Sequence, residues 1–454
     1  MIVKYFIIAF MACLLITASD PYFGTDLSWR PIPKEIKSDV QELPWMSTTA
    51  FRPYLMDHKQ RVSEAFRVTP YYYPNVHFWF LIYTQFESSS VVIHDKNNLS
   101  LIYKVLDFSS LHEKKLHRNT IYVLQQKISK DKLSALKDEL EELSKEPFSL
   151  SPSAKRIYRT LKHAGVDLPL EKKARHILFN QLKNNLRTQT GQKNFIREGV
   201  MRSLPYQDYL GGYFSNKKLP KELLGIPFLE SSFNPRAHSK VNALGAWQFM
   251  PLIASYFIPK RTTDTDYRSN VGVSSVAASF LLAENFMILK SWDLAVTAYN
   301  SGTKHLLKTK RELASDNVDL EKVIKHSDSE HFGFASKNFY SEFLALAHTL
   351  AYREELFDDL HDHDRPDVTR PLLFFMAKCP LKLPRILKEP LLEDINFHNH
   401  HIRDLQKTVP RGFILTTKAE LPKNKFLKIN YKQLQKIRPK DWVKLLKGHS
   451  CSTK

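Results

Sequence analysis

Glu230 is the residue of this chain whose setting best suits acid–base chemistry. It stands between Phe228-Leu229 and Phe233. An acid among aromatics loses hydration, which disfavours its charged form and raises its pKa. Such a carboxyl keeps a proton to donate near neutral pH. Pro220 suits the first position of a helix, and Asn234-Pro235 stops one. Glu230 is therefore expected at the end of a short helix, where its side chain can face a cleft. Ser231 to Lys240 are polar turn-formers. Gly245-Ala-Trp-Gln-Phe-Met250 reads as extended, and Pro251 opens a second helix. An isolated Glu beside aromatics is ordinarily a surface residue next to a core, so the surrounding string has to decide.

That string, Leu219 to Phe257, resembles the catalytic segment of the soluble-lytic-transglycosylase domain, a goose-lysozyme-like fold found in lytic murein transglycosylases. The resemblance rests on E-S-x-F-N-P-x-A-x-S from Glu230 to Ser239 and G-x-W-Q-F-M-P from Gly245 to Pro251. These are longer and more specific than a lone short motif. Ala298-Tyr-Asn-Ser-Gly302 resembles the A-Y-N-x-G motif of the same domain, and Phe332 to Ala345 resembles its distal part. The resemblance implies a mostly α-helical chain with a lysozyme-like catalytic domain over 215–350 acting on peptidoglycan glycan strands.

Most glycosidases use two carboxylates. The motif supplies one acid among neutral polar groups, which suffices when the nucleophile belongs to the substrate. By resemblance, Glu230 protonates the oxygen between N-acetylmuramic acid and N-acetylglucosamine. The substrate's acetamido oxygen supports the cationic centre. Glu230 then takes the proton of the muramic acid 6-hydroxyl as a 1,6-anhydro ring closes, acting first as acid and then as base. The resemblance also assigns Ser239 and Gln248 to sugar subsites, Met250 to the cleft wall and Tyr299 to a place facing Glu230. Ser231 is expected to orient Glu230, and Asn300 to fix the turn after its helix. Trp247 suits packing and sugar contact equally. No cofactor and no metal is implied.

Two departures stand out. Asn242 replaces a usual Gly, and Asn tolerates left-handed backbone. The usual D-x-R-x-D-P appears as Asp266-Tyr-Arg-Ser-Asn-Val271, without its second acid and its Pro. They motivate two alternatives. One is a muramidase-type hydrolase with Asp264 or Asp266 activating water. The other is a peptidoglycan-binding protein that has lost catalysis.

Other elements must position these residues. The length suggests more than one domain, and 43% hydrophobic with 25% charged residues is enough to build cores. Residues 1–19 read as a secretory signal, with Lys4, an apolar run and the small-residue exit Thr17-Ala-Ser19. The run is shorter than the ~20 residues needed to span a bilayer. Phe10-Met-Ala-Cys13 is a poor lipoprotein box. Export places the protein in the periplasm or envelope. Residues 20–145 read as an α+β module. Ser90–His94 and Ser100–Leu106 are expected as strands around Asp95–Asn98, with His94 and Asp95 as hairpin-end residues. The aromatics from Tyr71 to Tyr83 read as core. This region resembles the N-terminal part of transglycosylases of the D group.

Residues 146–214 read as a helical connector that includes Arg187-Thr-Gln-Thr-Gly191, given a packing role. Leu133, Leu136, Leu140 and Leu143 mark a charged helix before it. Ser274 is expected to cap a helix. Further helices are expected from Ser291 to Asn300 and from Ser336 to Arg353. Residues 351–454 form a basic C-terminal module with strands at Pro371–Ala377 and Gly412–Lys418. From Leu421 onward, nine Lys and one Arg face one Asp, a run that tracks an anionic polymer, solvates the surface or packs that module.

The formal charge of +20 favours polyanions. For an exported chain that partner is the cell wall, with peripheral association to wall or membrane, and not nucleic acid. Oligomeric state is not legible. Asp358 to Asp364 and His398, His400 and His401 lack a distinctive ligand spacing. Cys379 and Cys451 alone make no disulfide framework.

Overall fold

A computed structural model describes residues 40–43, 49–114, 116–145, 151–313, 318–327, 332–357, 360 and 370–449. The signal segment, Cys13, Cys451 and all of 358–364 except Leu360 lie outside them. The chain is mostly α-helical with small sheets.

Four antiparallel strands form the first sheet: β1 (Gln41–Leu43), β2 (Ser90–Asp95), β3 (Ile102–Asp107) and β4 (Leu186–Thr190), in spatial order β1-β3-β2-β4. Val92 faces Val105 across β2 and β3. The apolar run in β2 is continuous because both faces are covered. Val92, Ile102 and Val105 belong to the main core, whereas Val91, Ile93, Tyr103 and Leu106 belong to a second one. That second core is closed by α2 (Arg118–Lys145), α3 (Pro152–His163) and α4 (Lys172–Asn185). Leu136, Leu140 and Leu143 of α2 are fully buried in it. The Arg187 to Gly191 stretch, expected among helices, is instead β4 and its exit. It pairs with β2, Ile93 against Thr188 and His94 against Arg187. Gly191 is required there, because a Cβ would lie 2.3 Å from the carbonyl oxygens of Phe86 and Glu87.

The aromatic run forms the helix α1 (Tyr73–Thr84), with Phe78 to Thr84 all buried. Being apolar all round, it fits only between other elements. It packs on the 18-residue helix Phe334–Ala351, so this part of the N-terminal region shares one core with the segment that carries Glu230.

After α4 the chain runs through α5 (Lys193–Ser203), α6 (Gln207–Asn216), α7 (Ile226–Ser231), α8 (Pro251–Phe257), α9 (Val271–Leu289) and α10 (Trp292–Ser301), and Phe334–Ala351 is α11. The central helix α9 is long and apolar enough to cross a membrane, yet most of it is buried within the fold. Its cap is Asn270, not Ser274: the Asn270 side chain accepts from Val273 N at 2.9 Å. Ser274 lies inside the first turn, and its hydroxyl donates back to Asn270 O at 2.7 Å.

The C-terminal sheet holds β5 (Leu373–Ala377), β6 (Ile414–Thr417) and β7 (Phe426–Ile429) in order β6-β5-β7, all antiparallel. β5 and β6 match the expected strands, and β7 was not foreseen. Asn270 Nδ2 reaches this module, donating to Asn399 Oδ1 and Thr416 Oγ1 at 3.1 Å each. The position that lost an acid thus caps α9 and joins it to the C-terminal module. His398 and His401 are used here too. His398 lies 3.4 Å from Asp394, and His401 contacts Ile414 O at 3.2 Å.

Candidate active site

Glu230 is the penultimate residue of α7. Pro227 occupies the first turn of that helix, while Pro220 sits one turn earlier, as the cap of a 3-10 turn over Lys221–Gly225. The helix ends at once, because Ser232 and Phe233 are both left-handed, with φ of 51° and 59°. Arg202 of α5 holds this end, donating from Nε and Nη2 to Ser232 O at 3.1 and 2.9 Å. The Glu230 side chain is only partly exposed, and burial pushes its carboxyl up to about 8. The acid is protonated at neutral pH.

Ser231 does not point to solvent. Its hydroxyl donates to Ala246 O at 2.9 Å and accepts from Asn234 N at 3.0 Å, stitching the Glu230 helix to the 245–250 loop. Tyr299, on α10, ties the same loop from the other side, donating to Trp247 O at 2.7 Å. Its phenol is held far above the ordinary range by burial and by the nearby charge of Glu230. Asn300 Oδ1 accepts from Ser336 Oγ of α11 at 3.1 Å, which fastens the end of α10.

The 245–250 stretch is not extended. It is a turn held by isolated bridges, His238 to Leu244 and Leu244 to Phe249. Gln248 has a φ of 46°, and its Nε2 donates to Ala237 O at 3.1 Å and Gly245 O at 2.8 Å. Ser239 Oγ accepts from Ala243 N at 2.9 Å. Met250 caps α8 and is half-buried. Trp247 is fully buried, and its indole donates to Ser275 Oγ at 2.8 Å, so packing is its role. Asn242 takes a φ of 68°, so the missing Gly leaves a left-handed turn in place.

Arg268 locks the loop from below. It is buried, and its Nη1 donates to Asn242 O at 2.7 Å and Phe249 O at 2.9 Å. Its Nε and Nη2 form a fork on Asp266, with a shortest contact of 2.7 Å. Gly245 passes so close that a Cβ would lie 1.9 Å from Arg268 O, at a φ of +83°. Gly245→Ala should therefore cost about 2–3 kcal/mol and displace Gln248. Urea denaturation and turnover on a soluble glycan check this; an unchanged midpoint would mean that the loop adapts.

Asp266 is thus occupied by Arg268, and Asp264 is an exposed residue paired with Lys407 at 2.7 Å. Neither is arranged as a water-activating base. A second buried acid, Glu342 on α11, was not foreseen; Tyr83 of the Tyr73–Thr84 helix donates to it at 3.4 Å, and the charge of Arg187 on β4 reaches it. The charge of Glu230 is one of the influences that raise the Glu342 carboxyl, after burial. The helical spacing of Phe339, Phe343, Leu346 and Leu350 puts position 342 beside the buried stripe, which is the signal that could have marked Glu342. Nothing comparable in the sequence links it to Tyr83 or Arg187.

Residues 215–320 match the family model of the Transglycosylase SLT domain. Over 117 residues the chain is 34% identical to the membrane-bound lytic murein transglycosylase D of Escherichia coli strain K12, covering 26% of each chain. The protein of the same name from Escherichia coli O6:H1 matches to the same extent. The chain spans about a quarter of the length of these curated relatives.

Proposed function

With a transglycosylase SLT domain at its centre, this chain is, we propose, a lytic transglycosylase of peptidoglycan that works in the cell envelope. The observation that carries the reading is one partly buried acid at a helix end, beside a 245–250 loop pinned on two sides by Ser231 and Tyr299, with burial raising the carboxyl. Glu230 protonates the oxygen between N-acetylmuramic acid and N-acetylglucosamine, and the bond to the muramic acid anomeric carbon breaks. The substrate's acetamido oxygen supports the cationic centre. The Glu230 carboxylate then takes the proton of the 6-hydroxyl, whose oxygen closes the 1,6-anhydro ring. Glu230 ends protonated, so the cycle balances with no water consumed.

Gln248 and Met250 are the subsite residues we assign beside it. Ser231 and Ser239 act by holding the loop. Residues 215–350 form the catalytic domain, with the segments before and after it completing the cleft and meeting the wall. The chain leaves the cytoplasm by the signal at 1–19.

Product mass tests this reading. Digestion of purified sacculi should release muropeptides one water lighter than reducing-end products. Reducible ends alone would establish a hydrolase, and binding without release would establish a wall-binding protein.

A further inference from the structure

Arg187 of β4 carries a guanidinium that makes no hydrogen bond and no ion pair among the described residues. It lies over the partly exposed ring of Phe334, 4.3 Å from its centre. Its Nε is buried, while the residue as a whole stays partly exposed. Burial lowers its pKa, and the opposing charge of Glu342 reaches it without forming an ion pair. A desolvated donor without an acceptor is costly, and the planar guanidinium fork matches a carboxylate.

The strand holds this group in place. Arg187 faces His94 in the β2–β4 pairing, so the two side chains share one face of the sheet. The His94 ring also meets the Phe334 ring, at 6.1 Å between centroids. It brings no competing charge, because burial pushes its pKa down to about 4. Phe334 begins α11, and two residues on, Ser336 Oγ donates to Asn300 Oδ1 at 3.1 Å. Asn300 follows Tyr299, whose hydroxyl holds Trp247 O beside Gln248. Arg187 is thus joined to the α10 side of the site through the first turn of α11.

We propose that Arg187 binds a carboxylate borne by the muramic acid substituent of a peptidoglycan strand, with Phe334 as the platform that fixes the plane of the fork. The proposal rests on the chain acting on such strands. They offer two carboxylates of this kind: that of the lactyl group where the sugar bears no peptide, and those of the peptide where it does. Two N–H groups of the fork donate to the two carboxylate oxygens, in a partly desolvated place where the pairing is stronger than in water. An extended peptide spans about 3.3–3.6 Å per residue, so about three residues cover roughly 10 Å. That matches the about 8–10 Å between the axes of packed helices such as α10 and α11. A surface lysine attracts any polyanion, whereas a fork laid on a ring selects a planar carboxylate. The enzyme thereby distinguishes strands with free carboxylates from strands whose carboxylates are amidated.

The test compares short soluble glycans that carry free carboxylates with the same glycans amidated, each with and without peptide. Dissociation constants are measured by calorimetry in the Glu230→Gln background, which keeps cleavage out of the reading, and KM and kcat in the chain with Glu230. With Arg187 present, the free form should bind about tenfold or more tighter than the amidated form, and the difference should fall in KM and not in kcat. Arg187→Gln should erase that preference. Arg187→Lys keeps the charge but not the fork, and should retain only part of it. A preference confined to peptide-bearing glycans supports the proposal and assigns the peptide carboxylates; one confined to peptide-free glycans supports it and assigns the lactyl group. No preference in the chain with Arg187 overturns the proposal, and this result needs no Arg187 variant to fold. An equal preference in Arg187→Gln overturns it too. If the wild-type chain releases no anhydro product, the transglycosylase reading fails, while the binding preference still decides on Arg187.

Discussion

Glu230→Gln should abolish turnover while making the folded protein more stable at neutral pH. The activity loss should reach about 10³-fold or more, since general acid–base catalysis contributes typically 10²–10⁴-fold and the proposed reaction assigns both proton transfers to Glu230. The stability gain follows from linkage. The folded-state pKa of Glu230 is about 8, raised from an ordinary value of 4.5 by burial. Its contribution is fully present below about pH 4.5 and is lost as pH rises through about 8. Removing the ionisable group should gain on the order of 1–3 kcal/mol at pH 7, a range reduced for the partial exposure of the side chain. Near pH 4 the two proteins should unfold at the same denaturant concentration. Wild-type activity should decline through about pH 8 as the acid loses its proton. Denaturant midpoints at pH 4 and 7 check the first claim and a pH–rate profile the second. A Gln variant less stable than wild type at pH 7 would show that the carboxylate is well solvated, and the raised pKa would lose its basis.

The candidate site was legible where its parts lie close in sequence. Glu230 at a helix end, Pro251 opening α8 and the Asn300-Ser-Gly302 stop all follow from local rules about proline, asparagine and glycine. The Ser90 and Ile102 strands were readable from short apolar runs around a turn. Legibility failed where a residue serves a distant partner. Asn270 looked like a missing acid, and only the fold shows it capping α9 while it reaches Asn399 and Thr416. The turn at 245–250 looked extended because its aromatics have strand propensity. Arg268 and the positive φ of Gly245 and Gln248 override that preference. Glu342 was hidden because its partner Tyr83 is 259 positions away.

The basic C-terminal segment shows the same limit, and it leads to the second large effect. A count of lysines obscured the apolar residues between them: Phe426, Ile429, Leu434, Trp442 and Leu446 are all buried. Trp442 is fully buried, donates from its indole to Ile437 O at 2.9 Å and meets Phe374 of β5 edge-on at 5.6 Å. Around it, β7 pairs with β5, Tyr213 Oη of α6 donates to Leu434 O at 3.0 Å, and Arg438 covers the Phe257 ring of α8 at 4.8 Å. Trp442→Ala should therefore cost about 3–5 kcal/mol. Deleting 421–454 should do worse, stripping a strand from β5 and a cover from α6, α8 and α9, so that turnover is lost even on a short soluble glycan.

The charges themselves are separable from this packing. Lys423, Lys432, Lys436 and Lys447 are exposed, and changing all four to Gln should shift the unfolding midpoint little, because exposed charges contribute weakly to stability. The same change should flatten the salt dependence of sacculus binding, since exposed charges are screened beyond about 8 Å at physiological ionic strength. Denaturation, short-glycan turnover and sacculus binding across a salt series distinguish the two roles. A truncated protein that stays folded and active would show that the segment is an accessory tail. A four-Gln variant with an unchanged salt slope would show that these lysines only solubilise the surface.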